Sequence, residues 1–410
     1  MKKLLLVLLI LSLFINHLNA NEKDLQIIQK DKKEYRLLDK ESIQTRQQSQ
    51  KYDWISPIDL SGNIGRNHSF SDENSRNLNN KNTKSASIGF TQSIFESGGI
   101  GFKMDYADNR FKYEMLSWEN QNSQLIYTIY NTLLDIKKLK LEIKQNEYRI
   151  VNKDIELIIK KIQYEAGKTD IIELNNAIMS KNLILKEEIA LKNSLKEKEQ
   201  ELAKYTDLKY DEIEILDFQE TNKDIFLDKN YSILEADAKV EMLNSEYKIK
   251  KSQYLPKLSL SAKASYSNQD EKFNSMINDT NKDDATSSGS LILSMPLYDY
   301  TKSSKIQESK IEVLKQKALV NDLKNETAFE YEQIFTKIDT YLKQNETINK
   351  NIKLYEELIG ANKISSEAGM TSKYDLEILE NTKTINEFDI LINKINILQQ
   401  YAKLYFKIKN

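Results

Sequence analysis

Between residues 102 and 166 the sequence contains neither glycine nor proline, and the same holds for 168–255, 300–359 and 370–410. Four such runs, rich in Leu, Ile, Lys, Glu, Asn and Gln, commit most of the chain to long helices, because nothing in them interrupts one. Apolar residues recur there at helical spacing: Ile126, Ile129, Leu133 and Ile136, then Val151, Ile155, Ile158 and Ile162. In the second half Ile348, Ile352, Tyr355 and Ile359 do the same. This is the narrow seam of a coiled coil. The run from about 103 to 165 predicts a helix of about 90 Å at ~1.5 Å per residue, longer than a compact single-core domain needs. Charges interrupt every apolar run after the N-terminus, so none of these helices is read as crossing lipid.

The breakers gather elsewhere, and there the period changes. Of ten glycines, seven lie between 62 and 101 or at 289, and the three prolines stand at 57, 256 and 296. "IDLSGNI" puts Ile58, Leu60, Gly62 and Ile64 on one face and Asp59, Ser61 and Asn63 on the other. "SASIGFTQSIF" aligns Ala86, Ile88, Phe90 and Ile94. "LSLSAKASY" alternates Leu258, Leu260, Ala262, Ala264 and Tyr266 with Ser259, Ser261, Lys263 and Ser265, while "SLILSMPLY" alternates Leu291, Leu293, Met295 and Leu297 with Ile292 and Ser294. Four strands follow, at about 56–66, 85–97, 257–267 and 288–298, paired as two hairpins with polar loops at 67–84 and 267–287.

Each strand has one apolar and one polar face over about ten residues, the length of a transmembrane strand. Trp54, Phe95, Phe102, Tyr254, Tyr298 and Tyr300 stand near the strand ends, where aromatic side chains favour a membrane interface. A soluble sandwich with one buried face satisfies the same alternation. If the strands meet lipid, four cannot close a barrel, and an open edge leaves backbone groups unpaired. Several copies must then pool their strands, two giving eight and three giving twelve.

The first twenty residues have the form of a secretory signal peptide: "MKK", the apolar "LLLVLLILSLFI", then "NHLNA" with cleavage after Ala20. Removing Lys2 and Lys3 takes the formal charge from −2 to −4, and no basic cluster suggests nucleic acid. There is no cysteine, so neither a disulfide nor an N-terminal lipid is available. Of two histidines, His17 leaves with the signal and His68 lies in a polar stretch. Zinc sites and His-assisted nucleophiles are thereby set aside. "SGGIGF" lacks the spacing and the Lys-Ser/Thr of a phosphate loop. No catalytic, cofactor-binding or metal-ligating set is read from the chain.

The long helical runs are separated by a phrase used twice, "EAGKTDIIEL" at 165–174 and "EAGMTSKYDL" at 367–376, with their glycines 202 residues apart. Glycine supplies a left-handed residue where two antiparallel helices reverse. Asp170 and Ser372, three residues on, are good N-caps, and Glu173 and Asp375 three further complete a capping box in both copies. Capping alone accounts for most of the phrase.

Each half therefore reads strand, loop, strand, long helix, turn, helix. The spacing agrees: Gly98 to Gly167 is 69 residues and Thr301 to Gly369 is 68. In this order the chain resembles the TolC-like outer membrane efflux proteins. The resemblance rests on "SPIDLSG" and "LPKLSLSA", on "QSIFESGG" and "MPLYDYTK", and on "AGKTDIIELNNA" and "AGMTSKYDLEIL", and covers nearly all of the mature chain. It implies an α+β membrane channel with internal duplication: a trimeric twelve-stranded β-barrel, four strands per protomer, continued by a periplasmic α-helical coiled-coil tunnel. The first repeat would be 21–204, with an N-terminal helix at about 23–50 and helices at about 103–165 and 170–204. The second would be 230–410, with helices at about 230–252, 302–366 and 372–408. Residues 205–229 would join an equatorial belt.

The resemblance further implies an outer-membrane exit duct of a tripartite efflux or type I secretion system, passive and without cofactor. Its partners would be two more copies of itself, a periplasmic adaptor of the membrane-fusion class, an inner-membrane pump of RND or ABC type, and outer-membrane lipid. The other reading of the helices is a periplasmic coiled-coil scaffold or adaptor without channel activity. Gly167, Thr169, Asp170, Glu173, Gly369, Thr371, Ser372 and Asp375 would form the periplasmic tip and gate, where rings of carboxylates favour cations. Two departures carry expectations. Asp299-Tyr300-Thr301 replaces a customary glycine, predicting a less kinked hinge, and Thr371 replaces an arginine latch, predicting a different closure.

Overall fold

A computed structural model describes residues 24–69, 79–214, 216, 218, 220–270, 282–367 and 372–409. The signal-peptide reading lies outside them. Among the described residues, seven α-helices and four strands occur in the order α1 (Lys30–Tyr52), β1 (Asp59–Ser69), β2 (Asn79–Phe95), α2 (Gly99–Glu165), α3 (Ile171–Leu202), α4 (Lys223–Asp228), α5 (Tyr231–Ser252), β3 (Lys257–Asp270), β4 (Lys282–Ser294), α6 (Lys302–Glu367) and α7 (Lys373–Tyr405). The breaker-free runs are helical over most of their length, with a break at 203–222 inside the second run. At 67 and 66 residues, α2 and α6 are each about 100 Å long at ~1.5 Å per residue. No helix among the described residues is long and apolar enough to cross a membrane.

The residues group into two compact units. One holds Glu41–Met115 and Glu235–Val320, including all four strands. They form a single antiparallel sheet in the order β1-β2-β3-β4. The strands run further into the polar segments than the sequence pattern indicates: β1 and β2 still pair at Ser69 opposite Asn79, and β3 and β4 at Gln269 opposite Lys282. Ladder bonds are made by the backbone, so pairing outlasts the apolar alternation. The opposite end is shorter than expected. β4 stops at Ser294 rather than at 298, because Pro296 has no N–H to give the ladder. Between Ser93 and Phe95 the register shifts by one, leaving Ile94 as the extra residue of a bulge. Phe95, not Ile94, therefore continues the apolar face opposite Leu258.

The strand-to-helix junctions in this unit differ as the sequence suggests. Before α2, Ser97 and Gly98 both take left-handed backbone, at φ 49° and 89°, and Ser97 Oγ donates to Pro256 O at 2.7 Å. Before α6, Asp299 Oδ1 instead accepts from the Thr301 amide (2.8 Å) and hydroxyl (2.7 Å), a side-chain-closed turn that needs no glycine.

The other unit comprises the residues up to Lys40, Leu116–Leu234, and those from Asn321 onward. Its core is compact and aromatic. Phe226 of α4 is fully buried with Ile334, Ile338, Leu404 and Ile408. Tyr331 and Phe335 pack on this cluster, and the Tyr331 hydroxyl donates to Thr221 O at 2.9 Å. A second cluster gathers Tyr130, Phe218, Tyr405 and Phe406, ring centroids 5.1–5.9 Å apart. Residues 205–229, read as a break between helices, supply Phe218 and the whole of α4, capped by Asn222 Oδ1 accepting from Asp224 N. The strand-like bridge of Asn230 with Ile408 and the bond from Lys409 N to Lys229 O tie the C-terminus to this segment.

Helix α2 packs on α7 through polar side chains. Gln145 donates to Ile385 O and Asp389, Asn152 meets Thr382 and Asn381, and Gln399 donates to Asp135. Gln145 and Asn152 are buried. Such pairs fix the register of two helices whose apolar contacts alone would tolerate sliding. The seam predicted along α2 divides in two. Ile126, Ile129, Leu133, Ile136 and Ile155 are buried, but Val151, Ile158 and Ile162 are exposed, the last at 54%. Toward its turn, α2 keeps apolar side chains that no other described residue buries.

Candidate channel wall and helical tips

The sheet is the first candidate surface, and its register decides its chemistry. Residues directly opposite each other share a face. Reading across the strands, one face carries Leu60, Ile88, Ala264 and Ser287, then Gly62, Ala86, Tyr266 and Ala285. Toward the other end it carries Phe90, Ala262 and Gly289, then Gln92, Leu260 and Leu291, and then Phe95, Leu258 and Leu293. This face is exposed: Leu60 by 79%, Leu293 by 73% and Leu291 by 67%. Each such side chain left in water forfeits about 1.5–3 kcal/mol of burial. The belt ends sharply at a row holding Ile64, Lys84, Asn268 and Asp283. From Leu258 to Tyr266 it spans about 27 Å along the strand at ~3.4 Å per residue, against an apolar band about 25 Å tall in outer-membrane barrels.

The opposite face is hydroxylic. Ser61 bonds Ser87 (2.8 Å), Thr91 bonds Ser261 (3.0 Å), Ser93 bonds Ser259 (3.4 Å) and Ser265 bonds Thr286 (2.7 Å). All four are pairs directly opposite in the ladder. A face of short hydroxyls is wettable without carrying net charge. One sheet thus presents an oil-compatible and a water-compatible side, while β1 and β4 have a strand on one side only.

The helical turns are the second candidate. At the first, Gly167 takes φ 68°. Lys168 N donates to Gln163 O (2.8 Å) and Gly167 N to Tyr164 O (2.9 Å), the pair of bonds that ends a helix in a Schellman motif. Thr169 leads into Asp170, the N-cap of α3, whose Oδ1 accepts from Glu173 N at 2.9 Å. The expected reciprocal bond of Glu173 is replaced. Its carboxylate pairs with Lys160 of α2 at 3.1 Å. Lys160 was not among the residues read from sequence, although positions seven before and six after the turn glycine of a helical hairpin face each other.

At the second turn Ser372 and Asp375 form the full capping box: Ser372 Oγ accepts from Tyr374 N at 3.2 Å, and Asp375 Oδ2 accepts from Ser372 N at 3.3 Å. Gly369 and Thr371 lie outside the described residues. No hydrogen bond or ion pair among the described residues joins the first set of tip residues to the second. Nor do these residues include three or more carboxylate, histidine or cysteine side chains grouped to hold a metal ion.

The sheet has one apolar and one hydroxylic face and leads by sharp junctions into helices of 67 and 66 residues, an arrangement that fits a strand-and-helix channel subunit. Comparison with known proteins adds a family match over part of the chain. Residues 224–403 match the family model described as outer membrane efflux protein. None of the curated proteins matches the sequence significantly. Among solved structures, the Campylobacter jejuni CmeC outer membrane channel is similar at TM-score 0.70 and 12% identity, over 92% of this chain and 84% of that one. The outer membrane protein VceC of Vibrio cholerae gives 0.69 at 14% identity, over 93% and 94%. The open state of the Neisseria gonorrhoeae MtrE outer membrane channel gives 0.67 at 11%, over 91% and 85%. Over residues 224–403 the chain thus matches the outer membrane efflux protein family, and its fold is that of solved outer membrane channels.

Proposed function

We propose that this protein is the outer-membrane exit duct of a tripartite efflux or type I secretion system. Three copies close a twelve-stranded barrel in which β4 of one copy pairs with β1 of the next, and the helices extend into the periplasm. An adaptor and an energised inner-membrane pump deliver cargo to it, and transport is passive. The observation that carries this reading is the register of the sheet. It brings the apolar residues of all four strands to one exposed face while leaving two edges unpaired, which in lipid costs several kcal/mol per open backbone group unless the sheet closes on other copies. A periplasmic scaffold has no use for such a face.

At the tips, Gly167, Thr169, Asp170 and Glu173 with Gly369, Thr371, Ser372 and Asp375 form the constriction. The carboxylates of Asp170 and Asp375 supply its negative field, and Lys160 partly neutralises Glu173. Lys160–Glu173 ties the two helices of the first hairpin together near their turn. Reconstitution into a planar bilayer tests the reading. The expected result is a heat-modifiable trimer in the outer-membrane fraction and ion conductance, with cation preference reduced when Glu173 and Asp375 are replaced by Ala. A stable monomer without conductance would overturn the assignment.

A further inference from the structure

Within the belt the water-compatible face of the sheet is mostly neutral hydroxyl, interrupted by Ile292 opposite Ser259 and, at mid-belt, by two charges. The row Asp59, Gly89, Lys263, Ser288 crosses all four strands in register. Within the rows backed by the apolar belt, from Ser259 to Ser265 on β3, Asp59 and Lys263 are the only charged side chains on this face. Both are exposed. Neither forms an ion pair with the other or with any described residue, although only one strand separates them.

The residue between them has no side chain, and the spacing requires that. A Cβ built on Gly89 would stand 3.0 Å from Ala262 O and 3.3 Å from both Cβ and Cγ of Lys263. The lysine stem therefore lies close against β2, over the space a side chain would fill. A concavity of about 410 Å³ opens here, lined by Asp59, Ser61, Gly89, Thr91, Ser261 and Lys263 among others. It is a notch with a carboxylate on one wall, an ammonium on the other, and hydroxyls above and below.

We infer that Asp59 and Lys263 are the charge-balancing element of the barrel wall, a pair that holds the membrane-embedded part of the duct neutral toward ions. The inference rests on the channel reading and adds to it a determinant separate from the helical tips. In a serine-lined wall the neighbouring side chains carry no charge to mask either member. Removing one leaves a ring of like charges facing water, and its reach is set by ionic strength. At ~0.01 M salt the screening length is about 30 Å, whereas at ~1 M it is about 3 Å and the ring is felt only in contact.

The experiment is the cation-to-anion permeability ratio of the reconstituted full chain, from reversal potentials in a salt gradient, for wild type, Lys263→Gln, Asp59→Asn and the double variant. Lys263→Gln is expected to shift the ratio toward cations and Asp59→Asn toward anions, each by about twofold at ~0.01 M and with the difference vanishing near ~1 M. The double variant is expected to return to the wild-type ratio. Because both side chains are exposed, heat-modifiable oligomers should persist in all four proteins. Conducting singles with unchanged ratios, or ratios that move in the same direction, would overturn the inference while leaving the channel reading intact. Absence of conductance in the wild type as well would overturn both.

Discussion

The two compact units of this chain solve opposite problems. The unit containing α4 and the C-terminus buries its own apolar surface: Phe226, Ile334 and Leu404 are closed inside it, Tyr130 stacks on Phe406, and Phe218 meets both rings edge-on. The unit containing the sheet leaves Leu60, Leu291 and Leu293 open to the outside. Both use the same residue types. The first is a core that makes a fold stable in water, and the second is a surface that makes a fold stable only where something apolar covers it. Apolar content alone therefore does not say where a segment lives; register and burial do.

The sharpest way to break this contrast is to damage each unit in its own currency. Phe226→Ala should destabilise the unit that holds it by about 3–5 kcal/mol through the cavity left behind. Chemical denaturation followed by far-UV circular dichroism would show it, while the sheet's partition into membranes stays as it was. An equal loss of membrane insertion would mean the two units are not separable in this sense. Leu291→Arg should do the reverse. On the proposed channel reading, a charge on the apolar face costs about 2–4 kcal/mol at mid-membrane, so insertion should fall, with helical content in detergent unchanged. The neighbouring Ser290→Arg, on the hydroxylic face, should insert normally.

Smaller effects separate the two helical turns. Asp170→Ala and Ser372→Ala should each cost about 1 kcal/mol as lost N-caps. The loss should be smaller at Ser372, whose backbone N–H still donates to Asp375 after the substitution. Local hydrogen exchange at the first turns of α3 and α7 is the readout. The smallest effect concerns pH. Burial works to raise the Glu330 carboxyl, but hydrogen bonds from Lys403 and Lys407 and their charges outweigh it and hold it below its ordinary 4.5. Its contribution to stability is complete above that ordinary value and disappears as the pH falls through the lowered one. The slope of stability against pH in that acid range should be steeper in wild type than in Glu330→Gln, and the two should be parallel near neutrality.

Much of this architecture is legible in the residues. Helices follow from the runs without glycine or proline, and the faces of the strands follow from a period of two, so Leu60, Ile88, Leu260 and Leu291 are placed before any coordinates. What escapes is set by partners distant in sequence. The bulge at Ile94 exists because β2 must pair β3, and no local pattern reveals it. Val151 and Ile155 read alike along α2, yet only Ile155 is covered. Glu173 fits a capping box by spacing, but a lysine thirteen residues away competes for its carboxylate. The aromatic core around Phe226 lies in a segment that looks like a mere interruption, because its partners come from α6, α7 and the C-terminus.

The chain has no cysteine, which allows single labels to be placed without altering the background. Environment-sensitive probes on Leu291→Cys and Ser290→Cys, adjacent on β4, compare the two faces of the sheet in reconstituted vesicles. Quenching of the first by a lipid-soluble agent and of the second by a water-soluble one is the expected alternation. Equal access of the aqueous quencher to both positions would contradict the assignment of the leucine face to lipid.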